Sequence, residues 1–263
     1  MRSVLDTILS TGTAIGTSLA ATTIASGDSF TLRNASRVSI LAPWLSAQAA
    51  GFFGIMAGSM HDPTYGLQGH HAAACPFPIV PFMHYLVGSR DTLVCKASDS
   101  ATSGDICNLV IPVLYEDPVG LPAGNYIFPI EKDARSTKRV ATAYATHTAA
   151  TTVGYGGSKA LSAYTHQIPG GKNYAILGAI SSLNQAAITI KGPCTGNFRI
   201  AIPGSLLYKE RTAQWFVDMS FMYNRPFIPV INSNDFSSTI IETVNDENAA
   251  SPVIHIYMEE LVD

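Results

Sequence analysis

The chain has 263 residues, of which 47% are hydrophobic and only 13% are charged, and its formal net charge is −3. This length can bury one large core or two modest cores of about 100 to 130 residues each, and the hydrophobic content excludes a disordered chain. The slight negative charge argues against packaging of nucleic acid through a basic arm, so we expect no direct nucleic-acid binding. Small uncharged residues stand where charged residues normally cover a surface, which predicts that much of the surface faces other protein.

The first predicted element is an amphipathic helix within residues 1–11. Apolar residues recur there at helical spacing until Gly12 ends the pattern; they are Met1, Val4, Leu5, Ile8 and Leu9. A helix this short needs a partner surface, which could be its own domain, a neighbouring subunit or a lipid surface. Residues 7–27 carry no charge, but Asp6 stands where a signal peptide needs basic residues, and Thr, Ser and Gly make the stretch too polar for a spanning helix.

Beyond this segment the pattern predicts β-structure. Short runs rich in Val, Ile, Thr, Tyr and Phe are bounded by Gly, Pro, Asn and Ser, as is typical of strands joined by turns. The runs are SFTL, RVSIL, TLVC, NLVIPVLY, YAILGAI, AAITIKG, FRIAI, WFVDMSFMY, FIPVI, TIIETV and VIHIYMEEL. So many short strands indicate a sandwich, a barrel or a jelly roll.

The runs also indicate an internal repeat. Four stretches of the first half resemble four of the second half in the same order, at distances of 129, 137, 148 and 143 residues. Distances that drift by loop-sized steps are expected of a duplicated unit with insertions and deletions. The aligned pairs are Ala20 with Ala149, Gln48 with Gln185, Pro78 with Pro226, and Val110 with Val253.

The repeat divides the chain into a first unit at residues 12–117, a connector at 118–140 that contains PVGLPAG, and a second unit at 141–263. Each unit has room for about eight strands, which fits an eight-stranded jelly roll of two packed sheets. Neither unit has the Cys…Trp…Cys spacing of an immunoglobulin domain. We therefore predict an all-β protein made of two tandem eight-stranded jelly rolls, with residues 1–11 as a short N-terminal amphipathic helix.

Four histidines of the first unit raise the question of a cupin-like metal site; they are His61, His70, His71 and His84. Cupins need two His one residue apart on one strand face with a Glu nearby. Here His70 and His71 are adjacent, and no Glu occurs between residues 60 and 90, so we predict no metal site. The cysteines lack zinc spacing and fit small buried residues, although Cys95 and Cys107 could face each other across a hairpin; the other two are Cys75 and Cys194.

Other motifs also favour structural interpretations. The Gly-rich segments at 154–158 and 168–172 do not match a phosphate loop and predict turns. Residues 245–248, NDEN, lack the spacing of a calcium loop and predict a solvated turn. Trp44 and Trp215 are expected to anchor the two cores or a subunit contact. No catalytic residues and no cofactor-binding residues emerge, so we predict a structural protein and no enzyme.

Together these features resemble a viral family. Two tandem jelly rolls, a short amphipathic N-terminal segment and a surface of low charge are similar to the double-jelly-roll major capsid proteins of the adenovirus lineage and of tailless, membrane-containing bacteriophages. The C-terminal block from GPCTGNFRIAIPG through TAQWFVDMSFMYNRPFIPVINSNDFSSTIIETVNDENAASPVIHIYMEEL resembles them most. The resemblance concerns architecture and strand layout across nearly the whole chain.

The resemblance implies a homotrimer whose six jelly rolls form a pseudo-hexagonal tile of an icosahedral capsid. The expected partners are neighbouring capsomers, penton or minor capsid proteins and, through residues 1–10, an internal membrane. Residues 59–81 would form a tower or an intersubunit loop, and the location would be the virion after assembly in the host cytoplasm. Two alternatives stay open: a carbohydrate-binding or spike module, and a two-domain cupin-like metalloenzyme.

Overall fold

The computed structural model describes residues 2–13, 28–46, 51–71, 84–99, 106–148, 155–245 and 251–262. Most of these residues lie in β-strands, which confirms the predicted all-β class. The strands of the first unit are β1 (Ser3–Thr13), β2 (Ser29–Thr31), β3 (Arg37–Ile40), β4 (Trp44–Ser46), β5 (Gly51–Met56), β6 (Leu67–His71), β7 (Tyr85–Val87), β8 (Thr92–Asp99) and β9 (Ile106–Glu116).

The described residues from 126 onward form a second unit of strands with three short helices. Its strands are β10 (Tyr126–Ile127), β11 (Ser136–Thr146), β12 (Tyr155–Ala160), β13 (Asn173–Ser181), β14 (Gln185–Lys191), β15 (Ile200–Gly204), β16 (Ile228–Asn232), β17 (Ile240–Asn245) and β18 (Val253–Leu261). Its helices are α1 (Pro129–Arg135), α2 (Lys209–Thr212) and α3 (Trp215–Tyr223).

Each unit consists of two antiparallel sheets. In the first unit the sheets have the orders β1-β9-β3-β7 and β2-β8-β5-β6, and β4 continues the line of β3 along β9. In the second unit the orders are β11-β18-β13-β16-β10 and β12-β17-β14-β15. With β3 and β4 counted as one interrupted strand and β10 as an added edge, the described residues of each unit form eight strands. The first, third, sixth and eighth strands lie in one sheet, and the second, fourth, fifth and seventh lie in the other, in both units.

Two of the four stretches aligned by the sequence repeat fall on equivalent strands, whereas Gln48 and Pro78 of the other two lie outside the described residues. Ser29 and Ser158 lie in β2 and β12, the second strand of each unit. Val110 and Val253 lie in β9 and β18, the eighth strand of each unit. The same set of strand pairs therefore recurs in the two halves of the chain.

The sheet that contains β1 and β9 is buried on both faces. Ile111 of β9 and Val4 of β1 belong to the core inside the first unit, whereas their neighbours Val110 and Leu5 belong to the core that extends through the second unit. Successive side chains of a strand point to opposite faces, so this one sheet separates the two cores. Its second face meets the β12-β17-β14-β15 sheet, because β4 and β9 contact β14 and β1 contacts β15. The four sheets therefore pack face to face in a single stack.

The predicted N-terminal helix is wrong, because these residues form β1. All eleven residues of β1 pair in register with β9, from Ser3 opposite Glu116 to Thr13 opposite Ile106. The apolar positions fit a strand equally well, because adjacent residues such as Val4 and Leu5 each face a different core. The β-branched Val, Thr and Ile residues of this segment also favour the extended backbone. The partner of this segment is therefore β9 of its own chain, and the internal-membrane contact expected of residues 1–10 stays a prediction.

The predicted strand WFVDMSFMY is also wrong, because it forms α3. Its buried side chains recur at helical spacing along one side, and they are Trp215, Phe216, Met219, Ser220 and Tyr223. Asn224 follows in the left-handed conformation with φ of 50°, and its backbone N–H closes the last turn. None of the helices in the described part of the chain is long and apolar enough to cross a membrane.

Candidate functional site

The contact between the two units centres on the two tryptophans. Trp44 and Trp215 are both fully buried in one core, and their rings meet edge to face with centroids 6.0 Å apart. Trp44 Nε1 donates to the carbonyl of Ala186 on β14 at 2.8 Å, and Trp215 Nε1 donates to the carbonyl of Ala201 on β15 at 3.1 Å. Buried aromatic rings with satisfied N–H groups provide large contact area and fixed orientation. The two side chains join the units to each other.

Two further hydrogen bonds cross this contact. The backbone N–H of Ala42 donates to the Tyr223 hydroxyl of α3 at 2.9 Å. The amide of Asn108 on β9 donates to the carbonyl of Asn245 on β17 at 2.9 Å. Both are buried, so breaking either one would leave polar groups without water or partner. The relative position of the units is thus fixed by directional bonds as well as by apolar burial.

A buried carboxylate forms a third link. Glu116, at the end of β9, has only 4% of its side chain exposed and contacts the guanidinium groups of Arg37 from the first unit and Arg225 from the second. A buried carboxylate must be paired with charges or hydrogen-bond donors. Residues far apart in sequence meet here, and no local pattern in the chain marks their association.

A second charged group lies between β1 and the second unit. Arg199 Nε lies 2.6 Å from Glu242, and the Arg199 guanidinium covers the Tyr155 ring at 4.3 Å from its centroid. Asp6 of β1 lies 3.5 Å from Arg33, and burial raises the pKa of the Asp6 carboxyl despite that neighbour. Cation–π contacts and bidentate pairs hold planar guanidinium groups in a fixed orientation. This side of the contact between the units is therefore polar, and its charged side chains form ion pairs.

The eighth strand of the second unit is held by the connector. Lys132 of α1 lies 2.6 Å from Glu259 of β18, and the Ser136 hydroxyl also donates to Glu259. Burial acts to raise the pKa of Glu259, but its bonds to Lys132 and Ser136 outweigh that effect and hold the pKa below its ordinary value. Within the connector predicted at 118–140, the structure has β10, the helix α1 and the first residues of β11.

One face of the second unit is open. Val140, Thr142 and Tyr144 of β11 are exposed on it, beside the half-buried His255 and Tyr257 of β18. The rings of Tyr144 and His255 stack with centroids 5.6 Å apart. From Val140 to Thr146 on β11 and from Val253 to Tyr257 on β18, no residue is Lys, Arg, Asp or Glu. The surface is partly aromatic and uncharged from Thr142 onward, and at its end Val140 lies opposite Glu259.

A groove of about 440 Å³ runs along the free edge of β11. Residues 165–168 form its other wall, and Tyr144 bridges to it by two backbone hydrogen bonds with Thr165, at 3.1 and 2.9 Å. The backbone N–H and C=O of alternate strand residues point to the same side, so those of Thr142 and Val140 point toward this groove.

The histidines of the suspected metal site are spread over the first unit. His61 is exposed in a turn, and His84 packs on the Tyr223 ring with centroids 4.8 Å apart. His70 and His71 pair with Phe52 and Gly51 through the β6 backbone, and their side chains lie outside the described part of the chain. Within that part no three His, Cys, Asp or Glu residues are grouped so as to hold a metal ion.

A histidine that the sequence did not single out is deeply buried. His147 follows β11; its Nδ1 contacts the carbonyl of Gly157, and its Nε2 lies 2.6 Å from the Tyr164 hydroxyl. A carbonyl only accepts, so Nδ1 carries the proton and Nε2 accepts from the Tyr164 hydroxyl. Burial lowers the pKa of His147 and raises that of Tyr164, so the pair is neutral. It joins two segments of the second unit.

The remaining candidates have structural surroundings. Cys95 and Cys107 are buried thiols of the first core, and burial raises the pKa of Cys95 to about 12, which makes it unreactive. The turn predicted at 154–158 is wrong for residues 155–158, which belong to β12, and Gly154 lies outside the described residues. The segment at 168–172 contains the predicted turn, in which Gly171 has φ of 73°. Residues 246–248 of NDEN and residues 72–81 of the expected tower lie outside the described residues.

Comparison with known proteins adds little. No family model matches the chain, and no curated protein matches it. The PBSX exported protein XepA is similar over 95% of this chain and 86% of its own, at 10% identity and a TM-score of 0.23. The major capsid protein P2 from bacteriophage PM2 is similar over 97% of this chain and 98% of its own, at 10% identity and a TM-score of 0.19. The likeness to a phage capsid protein is weak, and scores this low support no argument about function.

Proposed function

We propose that this chain is a structural capsid protein and has no enzymatic role. In this proposal its two units are eight-stranded jelly rolls, and three copies assemble into a pseudo-hexagonal tile of an icosahedral virion. Its partners would be neighbouring capsomers and penton or minor capsid proteins, and assembly would take place in the host cytoplasm. The observation that carries the proposal is the strand order, which is the same in both units.

The strand order supports the jelly-roll assignment in a simple way. A jelly roll arises when a long antiparallel hairpin of eight strands wraps into two sheets, so that the first strand pairs with the eighth, the second with the seventh, the third with the sixth and the fourth with the fifth. In the first unit these pairs are β1 with β9, β2 with β8, β3 with β7, and β5 with β6. In the second unit they are β11 with β18, β12 with β17, β13 with β16, and β14 with β15.

The contact between the units supports a role as a building block. A tile of six jelly rolls from three chains requires the two jelly rolls of each chain to keep one relative position. The Trp44–Trp215 contact, the bond from Asn108 to Asn245 and the charges around Glu116 provide this rigidity. The low content of charged residues also suits a protein that buries much surface against copies of itself.

Sedimentation of the purified protein over a wide range of concentrations tests this proposal. We expect a trimer, which negative-stain images should show as a flat particle with pseudo-sixfold outline. A protein that stays strictly monomeric at the highest concentration would contradict the proposal. Metal analysis of the same sample addresses the cupin-like alternative, which requires a stoichiometric metal ion.

A carbohydrate-binding or spike module is a second candidate, favoured by one observation. The Tyr144 ring is 45% exposed beside a groove that Thr142, His166 and Gln167 line, and exposed aromatic rings next to polar side chains are suited to sugars. A glycan array distinguishes this candidate. Binding that Tyr144→Ala abolishes would favour it, whereas no binding to any glycan would count against it.

A further inference from the structure

The edge of β11 that borders the groove is only partly paired. At one end of the groove, the backbone N–H and C=O of Tyr144 both bond to Thr165, as in an antiparallel strand pair. Continuation of that pairing would place Gln167 opposite Thr142, at the next position where the backbone has the same orientation. The pairing stops instead, because Tyr144 and Thr165 form an isolated bridge. The two backbones therefore separate along the groove.

The second wall of the groove bonds to itself where the pairing stops. The Ile168 N–H donates to the His166 ring at 3.2 Å, within that wall. Among the described residues, no hydrogen bond reaches the groove-facing N–H and C=O groups of Val140 or Thr142. Both residues are exposed. An exposed strand edge with unpaired backbone groups is a template for another strand.

The equivalent edge in the first unit is covered. Thr7 of β1 is equivalent to Tyr144 of β11, because the same register relates each to the buried glutamate at the end of its eighth strand. The Thr7 C=O accepts a bond from the Tyr155 hydroxyl of the second unit at 3.5 Å. By the same register Leu5, which is 3% exposed, is equivalent to the exposed Thr142. The second unit thus shields the edge of β1, whereas the edge of β11 is open.

The end of the groove where β11 begins is basic. Lys138 and Arg139 are both exposed there, and the contact of Arg139 with Glu260 is 3.8 Å long. The residues that line the groove, within 140–144 and 165–168, include no Asp or Glu. A carboxylate on an occupant would therefore meet positive charge at this end and no negative charge along the groove.

We propose that this groove binds an extended segment of a partner protein, which adds to the sheet as a strand beside β11. The segment carries an Asp or Glu side chain at the end near Lys138 and Arg139. Main-chain hydrogen bonds provide the affinity in this mode of recognition, and alternate side chains provide the specificity. The volume of about 440 Å³ lies within the range of ligand-binding clefts. This inference goes beyond the proposed function, because the groove lies within one chain and does not require a trimer.

Selection from a library of random linear peptides tests this inference on the unchanged protein. We expect the enriched peptides to combine β-branched residues with Asp or Glu toward one end. Titration calorimetry with a selected peptide then measures its affinity for the protein and for its variants.

Thr142→Pro removes one groove-facing N–H. The bonds between β11 and β18 should persist, because proline is tolerated on an edge strand where the N–H faces outward. We expect this variant to bind the selected peptide at least about tenfold more weakly, since it loses a hydrogen bond and presents the proline ring to the incoming strand. Val140→Pro takes its place if thermal unfolding shows that Thr142→Pro is not folded.

Thr142→Ala is the matched control, because it removes the side chain and keeps the backbone N–H. It should bind the peptide as the unchanged protein does. Lys138→Glu should weaken binding of an acidic peptide, and the loss should shrink as the salt concentration rises.

Several results would overturn this inference and leave the proposed trimer untouched. One is a selection that enriches no peptide. Another is equal affinity of the unchanged protein and Thr142→Pro for the selected peptide. A third is an equal loss in Thr142→Ala and Thr142→Pro, which would assign recognition to the side chain. Glycan binding that Tyr144→Ala abolishes, in a protein that selects no peptide, would assign the groove to carbohydrate. Sedimentation decides the proposed trimer separately.

Discussion

The eighth strands of the two units, β9 and β18, occupy the same place in the strand order, but the equivalent face is buried on β9 and partly exposed on β18. On β9, Val110 and Leu114 are fully buried against the second unit, whereas their equivalents on β18, Val253 and Tyr257, are half-buried on an open face. One position keeps its residue type: Glu116 and Glu259 are both buried carboxylates with basic partners. The same sheet face is thus a contact between the units on β9 and an open surface on β18, while the strand order is unchanged.

The third strand explains why only part of that face is open. Ser39 of β3 lies opposite Leu114 and is buried in the contact region between the units. The equivalent residue opposite Tyr257 is Gly178 of β13, and the backbone of Thr212 lies directly over it. In the first unit this part of the face is covered by the second unit. In the second unit the equivalent part is covered by α2 of the same unit. On the β11–β18 part, Lys132 of α1 covers Glu259, whereas Thr142 and Tyr144 stay exposed.

The largest effect is expected on the buried face of β9, where Leu114 lies. Leu114→Ala should lower the free energy of unfolding by about 2–5 kcal/mol, because it leaves a cavity in the contact between the units. Tyr257→Ala, at the equivalent position, should cost less than about 1 kcal/mol in dilute protein, because it removes only cross-strand contacts on a partly exposed face. Urea unfolding of both variants at low protein concentration measures the difference. Equal losses would contradict the assignment of one face as buried and the other as open.

The next effect concerns the helix that covers β13. A β-carbon added to Gly178 would lie 2.2 Å from the Thr212 carbonyl oxygen, so Gly178→Val forces α2 away from the sheet. We expect a loss of about 1–3 kcal/mol, typical of overpacking. Gly170→Val is the matched control, because a β-carbon there meets nothing within 4 Å. Thermal unfolding compares them, and similar melting temperatures would indicate that α2 yields without cost.

The sequence predicted those parts of the fold that are local or repeated. Short runs rich in Val, Ile, Thr, Tyr and Phe identified ten of the eighteen described strands, and the similarity of the two halves paired Val110 with Val253, which occupy equivalent strands. Residues 3–11 were misassigned to a helix because their apolar positions suit both a helix and a strand that is buried on both faces. The links made by Glu116 with Arg225 and by Trp44 with Ala186 could not be predicted, because they join residues more than a hundred positions apart and leave no periodic signal.

A smaller effect is expected at Glu259, one of the two buried carboxylates. Glu259→Gln removes charge-assisted bonds to Lys132 and Ser136, and we expect a loss of about 1–2 kcal/mol at neutral pH. The folded pKa of Glu259 is held below its ordinary value of 4.5, so this stabilisation is complete above that pH and is lost as the pH falls through the lower folded pKa. Urea unfolding at neutral and acidic pH should therefore bring the variant and the unchanged protein together in acid. A difference that persists at low pH would show that Glu259 stabilises by shape and not by charge.

The smallest effect lies in the second unit alone, at His147. Burial holds its pKa below the ordinary 6.5, and the bond that its Nε2 accepts from the Tyr164 hydroxyl needs the neutral ring. A base with a lowered folded pKa binds its proton more readily when the protein is unfolded, so its contribution to stability is complete above about pH 6.5 and decreases as the pH falls below it. Thermal unfolding between neutral and mildly acidic pH should show this slope in the unchanged protein. His147→Gln should be less stable at neutral pH and should show a smaller slope, because His84, whose pKa is also lowered by burial, keeps its own part. His61→Gln, at an exposed turn, is the control and should keep the full slope; an unchanged slope in His147→Gln would assign the pH dependence to another group.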